Sequence, residues 1–203
     1  MADYAVLIPF VTTEEGKALL LEVRSQLVKQ PGEMCFPGGR VEAGETPVET
    51  AVRETCEELG LRPEDIEVIS EPEIETEMMA DGRRVFSVKA HISNFPNING
   101  EGTDDDFCDE SAASFSGDLK TRIKLNEDEV ADVFLLPISW LEGHAPEYYV
   151  LGEAADEELP EILRGYLANY GEFRRRGETY YWEYKGRGIW GLTARIINRI
   201  LNK

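Results

Sequence analysis

The sequence predicts an α/β fold, and three observations carry that reading. Apolar, strand-like runs lie on both sides of one central helix. That helix is marked by a capping box, and a second apolar stripe at helical spacing closes the chain. In order, Tyr4 to Val11 and Ala18 to Val23 read as strands joined by the polar turn Thr12-Thr13-Glu14-Glu15-Gly16, a hairpin signal. Met34 to Phe36 leads into Phe36-Pro37-Gly38-Gly39, read as a tight turn with open carbonyls. Thr46-Pro47-Val48-Glu49 is a capping box with proline at the first helical position, and Gly60 is a natural stop. Between them Ala51, Val52, Thr55 and Leu59 recur at helical spacing and can face a core. Glu67 to Ser70 predicts a short strand and Arg84 to Ile92 a longer one. Val130 to Leu136 is a further strand ending at Pro137, and Ile138 to Leu141 starts a short helix. Ile189, Trp190, Thr193, Ile196, Ile197, Ile200 and Leu201 form the closing stripe and read as core.

With 203 residues and 42% apolar content, the chain is long enough for one well-buried core, and it shows no internal repeat. We expect a single domain over 1–203 with a loop insertion at 94–118. Formal charge is −19, from 21 basic and 40 acidic residues. Such a surface disfavours nucleic-acid backbone and anionic membrane, so neither is expected as a partner. Cys35, Cys56 and Cys108 are an odd number at no zinc-like spacing, and Cys35 and Cys56 read as small buried hydrophobes. MADYAVLIPFV lacks the basic start of a signal peptide, and no run reaches membrane length, so a reducing cytoplasm is expected.

The chemistry concentrates in Gly39 to Leu61, GRVEAGETPVETAVRETCEELGL. Glu54 and Glu58 are four apart and Glu54 and Glu57 three apart, so a helix puts their carboxylates on one face. No lysine between Arg40 and Leu61 relieves the repulsion. A hard divalent cation would relieve it, whereas an acidic solvated face is the plainer reading, and spacing alone leaves both open. The well-terminated helix beside a Gly-Gly element favours a scaffold for a metal.

This segment resembles the Nudix box, G-x5-E-x7-R-E-U-x-E-E-x-G-U with U aliphatic. Gly39, Glu45, Arg53, Glu54, Glu57, Glu58, Gly60 and Leu61 fill it at the right spacing, and Thr55 departs from it at an aliphatic position. The resemblance implies an α/β/α sandwich with a mixed β-sheet and the Nudix-box loop-helix. It implies hydrolysis of a diphosphate with Mg²⁺ or Mn²⁺. Glu54 and Glu58 would be the principal ligands, Glu57 a further ligand or a partner through water, and the Gly39 carbonyl would complete the shell. Arg53 would hold the glutamates in place, with Glu45 as its acidic partner. The general base varies in the family, so Glu54, Glu57 and the later Glu129 all stay open.

Upstream, LLLEVRSQLVKQPGEMCFPGG (Leu19 to Gly39) resembles the signature LLTxR(S/A)-x3-R-x3-G-x3-FPGG of coenzyme A diphosphatases. Leu20, Leu21, Arg24, Ser25, Gly32 and residues 36 to 39 match. Lys29 replaces an arginine, and only Gln30 and Pro31 separate it from Gly32. Arg24 and Lys29 are therefore the implied substrate-binding residues, although lysine offers a point charge where arginine offers a fork. Tyr181-Trp182-Glu183-Tyr184 and the closing stripe resemble the C-terminal strand and helix of the same subfamily. The implied substrate is coenzyme A or a derivative, a small molecule. Another nucleoside diphosphate conjugate (ADP-ribose, NADH, a dinucleoside polyphosphate) or a non-catalytic ligand-binding module are the alternatives, and a homodimer stays open.

Other features read as structural. The acidic run Asp104-Asp105-Asp106 within 94–118 is expected to be a solvated loop. Arg174-Arg175-Arg176 reads as balancing nearby glutamates rather than gripping a phosphate. His91 and His144 read as structural or exposed.

Overall fold

The computed structural model describes residues 3–13, 15–75, 84–93, 123–152, 156–170 and 177–202. Its frame is an eight-stranded mixed sheet. Strand β1 (Tyr4–Thr13) runs parallel to β7 (Val85–Ile92) along one edge, with Tyr4 opposite Val85 and Phe10 opposite His91. On its other edge β1 pairs antiparallel with β2 (Gly16–Arg24), but only through Phe10 to Thr13. Beyond Leu19 the two strands part, and the fork is filled from within. β3 (Met34–Cys35) pairs with Glu22 and Val23 of β2, and β4 (Gly38–Arg40) pairs with Tyr4 to Val6 of β1. The segment expected to be a tight turn at Gly38-Gly39 is therefore extended chain. The diverging strands present unpaired backbone groups, and the FPGG segment satisfies them.

β5 (Ile66–Val68) and β6 (Glu73–Ile74) pair with β7, while β8 (Val130–Pro137) pairs with the outer edge of β2. Side-chain alternation gives the sheet two apolar faces. Ala5, Leu7, Ala18, Leu20, Val133 and Leu135 face helix α1 (Pro47–Leu59), packing with its Ala51 and Leu59. Ile8, Leu19, Leu21, Phe134 and Leu136 face the opposite side, against Ala194, Ile196 and Ile197. Those three belong to the C-terminal helix described below. The α/β/α layering follows from this parity.

The capping box forms as the sequence predicts. The Thr46 N–H donates to Glu49 Oε2 at 2.8 Å, and Glu49 N–H donates back to Thr46 Oγ1 at 3.3 Å. Gly60 ends α1 with φ +63°, and a Cβ there would collide with the Lys124 carbonyl. Thr55, where the box prefers an aliphatic residue, is fully buried and donates its hydroxyl to the Ala51 carbonyl at 2.7 Å.

The polar stretch after Glu142 holds more structure than its composition suggests. The short helix α2 (Ile138–Gly143) leads to β9 (Glu147–Leu151) and α3 (Glu161–Ala168). β10 (Gly177–Tyr184) and β11 (Arg187–Ile189) follow, and then α4 (Gly191–Leu201). β9, β10 and β11 make a second, three-stranded sheet. Its small core is Leu151, Leu159, Leu163, Leu167, Tyr181 and Trp190, with Tyr166 and Tyr170 packed on it. The leucines of α3 are four apart but diluted by Glu and Gly, so periodicity over so short a helix is a weak signal. Ile189 and Trp190, expected in the closing stripe, end β11 and precede α4. The insertion at 94–118, Cys108 and Arg174-Arg175-Arg176 lie outside the described residues.

Candidate active site

α1 brings its acidic face over β4. Glu58 is buried, at 5% exposure, and its Oε2 accepts the Gly38 N–H at 2.9 Å. Glu54 lies half-buried directly over Gly39, where any Cβ would collide with its carboxylate. Glycine is required there by space rather than by dihedral angle. The register alternation puts Gly39 in phase with the bonded pairs Leu7–Pro37 and Asp3–Val41, both at 2.9 Å. Its carbonyl therefore belongs to the ladder and has its second lone pair for a ligand.

Arg53 ties the acidic residues together. Its Nε and Nη2 grip Glu45 in a fork at 2.7 and 3.1 Å, and Nη2 also donates to the Arg40 carbonyl at 3.3 Å. Nη1 reaches Glu54 Oε1 at 3.0 Å and Glu57 Oε2 at 3.2 Å. Glu45 also accepts the Thr50 hydroxyl at 2.8 Å. The Arg53 and Thr50 hydrogen bonds hold its carboxyl down at about 2. Glu57 stands at the rim, its side chain 57% exposed.

Beneath Glu58 lies Glu22, which the sequence reading did not single out. It is 1% exposed, its Oε1 accepts the Cys35 thiol at 3.1 Å, and its Oε2 is buried with no hydrogen-bond donor. Burial pushes the pKa of both Glu22 and Glu58 well above the usual carboxylate range, and the charge of Glu22 raises Glu58 further. Burial also raises Glu54, against the lowering effect of Arg53. The charge of Glu129 acts on all three from an exposed position. Two signals could have found Glu22. Strand parity puts it on the face of Ala18 and Leu20, toward α1, and the upstream signature has threonine at its place.

Arg24 joins the cluster. Its Nε donates to the Lys29 carbonyl at 2.8 Å and its Nη1 to Cys35 Sγ at 3.8 Å, within the field of Glu22 and Glu58. The Lys29 side chain is exposed, so its backbone rather than its ammonium is tied to the cluster. Cys35, expected to be buried, is only partly so, yet the burial of its thiol pushes that group well up. Cys56 is only partly buried.

Among the described residues, no three His, Cys, Asp or Glu side chains already converge on one point as a cation would require. The donor chemistry nonetheless fits a hard divalent ion. The oxygens of Glu54 and Glu58 crowd one side of β4, Glu22 Oε2 has no donor, and Gly39, with no side chain, leaves room for the Glu54 carboxylate.

Among known proteins, the NUDIX domain matches residues 1–154. The chain is 41% identical over 204 residues to the uncharacterized Nudix hydrolase NudL of Enterobacter sp. (strain 638), covering 97% of this chain and 79% of that protein. It is 42% identical over 69 residues to the peroxisomal coenzyme A diphosphatase NUDT7 of Mus musculus, covering 33% of this chain and 29% of that protein. A 51% match over 65 residues to Nudix hydrolase 3 of Caenorhabditis elegans covers 32% of this chain and 27% of that protein. The chain thus aligns with under a third of the length of the mouse and nematode relatives. The crystal structure of RenU, a Nudix hydrolase from M. smegmatis, shares the fold, with a TM-score of 0.50 at 19% identity over 70% of this chain and 73% of that one. A domain match over most of the chain and a relative alike along nearly all of it place this protein in the Nudix hydrolase family.

Proposed function

We propose that the chain is a divalent-metal-dependent Nudix hydrolase that cleaves the diphosphate of coenzyme A or its derivatives, giving 3′,5′-ADP and a 4′-phosphopantetheine species. The observation that carries the chemistry is the Arg53 hub, which ties Glu45, just before the helix, to Glu54 and Glu57 on the helix that also presents buried Glu58. Glu54, Glu57 and Glu58, with the Gly39 carbonyl, would hold Mg²⁺ or Mn²⁺. When bound, the ion neutralises phosphoryl oxygens and eases attack by water. Arg53 keeps the carboxylates oriented, and its charge offsets their mutual repulsion. Exposed Glu57, or Glu54 beside it, accepts the proton released as the water oxygen bonds to phosphorus and the phosphate ester leaves. Arg24, beside the cluster, would meet a substrate phosphate.

The coenzyme A assignment rests on the upstream signature, and the similarity to the mouse coenzyme A diphosphatase supports it. One observation favours the second reading, another nucleoside diphosphate conjugate: Lys29 is exposed and its loop is one residue shorter than the signature. We further propose one domain over the whole chain, because Trp182 and Ile189 of the second sheet pack with Ile8 and Leu19 of the first. A small-molecule substrate, no nucleic-acid or membrane partner and a cytoplasmic setting complete the reading. Among the described residues, no helix is long and apolar enough to cross a membrane.

Purified protein incubated with Mg²⁺ or Mn²⁺ and coenzyme A, ADP-ribose, NADH or diadenosine polyphosphates, with products identified by mass, tests this. Preferred release of 3′,5′-ADP and phosphopantetheine is expected. Arg24→Ala and Lys29→Ala are expected to reduce coenzyme A turnover more than that of the other conjugates. Cleavage of another conjugate with coenzyme A untouched would keep the reaction and discard the substrate.

A further inference from the structure

We propose that Glu22, outside the Nudix box, is an additional carboxylate ligand of the divalent cation, reaching the site from β2 on the sheet face that α1 covers. This inference rests on the metal-dependent reading above and adds a residue to it.

Strand parity sets the direction of Glu22. On β2, Ala18 and Leu20 point into the apolar layer beneath α1, so Glu22, two residues on, points the same way. At that place the layer holds Glu58 rather than another aliphatic side chain. Glu22 is 1% exposed and Glu58 5%, so water does not screen the pair. Their partners are few. Glu58 has the Gly38 N–H, and Glu22 Oε1 has the Cys35 thiol, a weak donor. Glu22 Oε2 has no donor, although buried carboxylate oxygens normally find one. Arg24 does not rescue it, since its Nε is bonded to the Lys29 carbonyl and its Nη1 to Cys35.

Two buried carboxyl groups facing each other need something positive between them. A shared proton suffices in the cation-free protein. A divalent cation held by Glu58 would lie within reach of the same oxygen, and it satisfies both groups more strongly than one proton does. The pattern differs from a structural buried acid such as Asp65, which is gripped through two hydrogen bonds by Arg62 at 2.9 and 3.0 Å. Among the described residues no guanidinium grips Glu22 in that way, and Arg24 acts on it only through its charge. A ligand on β2 also has a mechanical consequence: it ties the sheet to α1 through the metal, so cation binding should stiffen the fork between β1 and β2.

Mn²⁺ binding to the purified, cation-free protein tests the proposal by calorimetry and by the Mn²⁺-induced rise in Tm, neither of which needs turnover. Glu22→Gln keeps the size and can donate to Glu58, and Glu22→Thr restores the residue of the upstream signature. Both are expected to fold, with a cation-free Tm equal to or above that of the parent. Each is expected to weaken Mn²⁺ binding on the order of tenfold or more and to shrink the Mn²⁺-induced rise in Tm. Glu58→Gln serves as reference. If Glu58→Gln weakens binding while both Glu22 variants bind Mn²⁺ as the parent does, Glu22 is a structural acid and the proposal is overturned, with the box reading intact. If the parent itself binds no Mn²⁺, the metal-dependent reading falls and this proposal falls with it.

Discussion

Glu33 shows how one residue can record both burial and architecture. It is 8% exposed at the end of the loop that follows Arg24 and carries Lys29, and both its oxygens accept the Tyr170 hydroxyl, at 2.8 and 3.0 Å. The same tyrosine contacts Gln30, a residue held at φ +64°. Burial raises the Glu33 pKa to about 7, partly offset by hydrogen bonds and by Arg24. The folded value lies above the unfolded one, near 4.5, so the folded state binds the proton more tightly. The contribution of Glu33 is therefore fully present below pH 4.5 and is lost as pH rises through about 7. Glu33→Gln, neutral throughout, should gain in Tm relative to the parent between pH 4.5 and pH 8. Thermal melts at the two pH values check this, and a pH-independent difference would show that Glu33 does not titrate in that window.

At the scale of the element, α1 separates stability from chemistry along its own length. Its N-terminus is held by the reciprocal bonds of Thr46 and Glu49, remote from the buried carboxylates. Thr46→Ala should cost about 1 kcal/mol of stability, visible as a lower urea midpoint, with kcat essentially unchanged. Gly39 on β4 is the converse. Its dihedral angles suit any residue, and the atoms a Cβ would strike are the mobile end of Glu54. Gly39→Ala should fold with a Tm close to the parent and displace the Glu54 carboxylate, lowering kcat by roughly a factor of a hundred, the scale of a misplaced catalytic group. A loss of folding in place of a loss of turnover would show that β4 cannot give way around Glu54.

For the whole molecule, the decisive feature is the joint between the two sheets. Ile189 of β11 is fully buried against residues that include Ile8, Leu19 and Leu21 of the main sheet. Ile189→Ala should therefore destabilise the entire protein by about 2 to 5 kcal/mol, the usual cost of emptying a core site. Far-ultraviolet and tryptophan signals should change together in one cooperative transition, because Trp182 and Trp190 sit on either side of that joint. Separate transitions would mean that the small sheet unfolds on its own.

How much of this was legible beforehand depends on how local the determining physics is. The capping box, the Gly60 stop, the helical spacing of Glu54, Glu57 and Glu58 and the Arg53–Glu45 pairing are set within about fifteen residues of chain, where spacing translates directly into geometry. The sequence by itself thus determined α1, its acidic face and, through the matching spacing, the family. Other features depend on what lies across the sheet. Gly38-Gly39 became a strand because β1 and β2 part company and leave backbone groups to satisfy. The leucines of α3 became a core only because β10 lies beneath them. Arg24 came to the carboxylates while Lys29 stayed outside, through a loop whose shape depends on Tyr170 and Tyr166 more than a hundred residues away. Glu22 differs from an ordinary strand glutamate only because Glu58 is above it. Tertiary structure decided these points because burial and the unmet needs of buried polar groups arise only when distant segments meet.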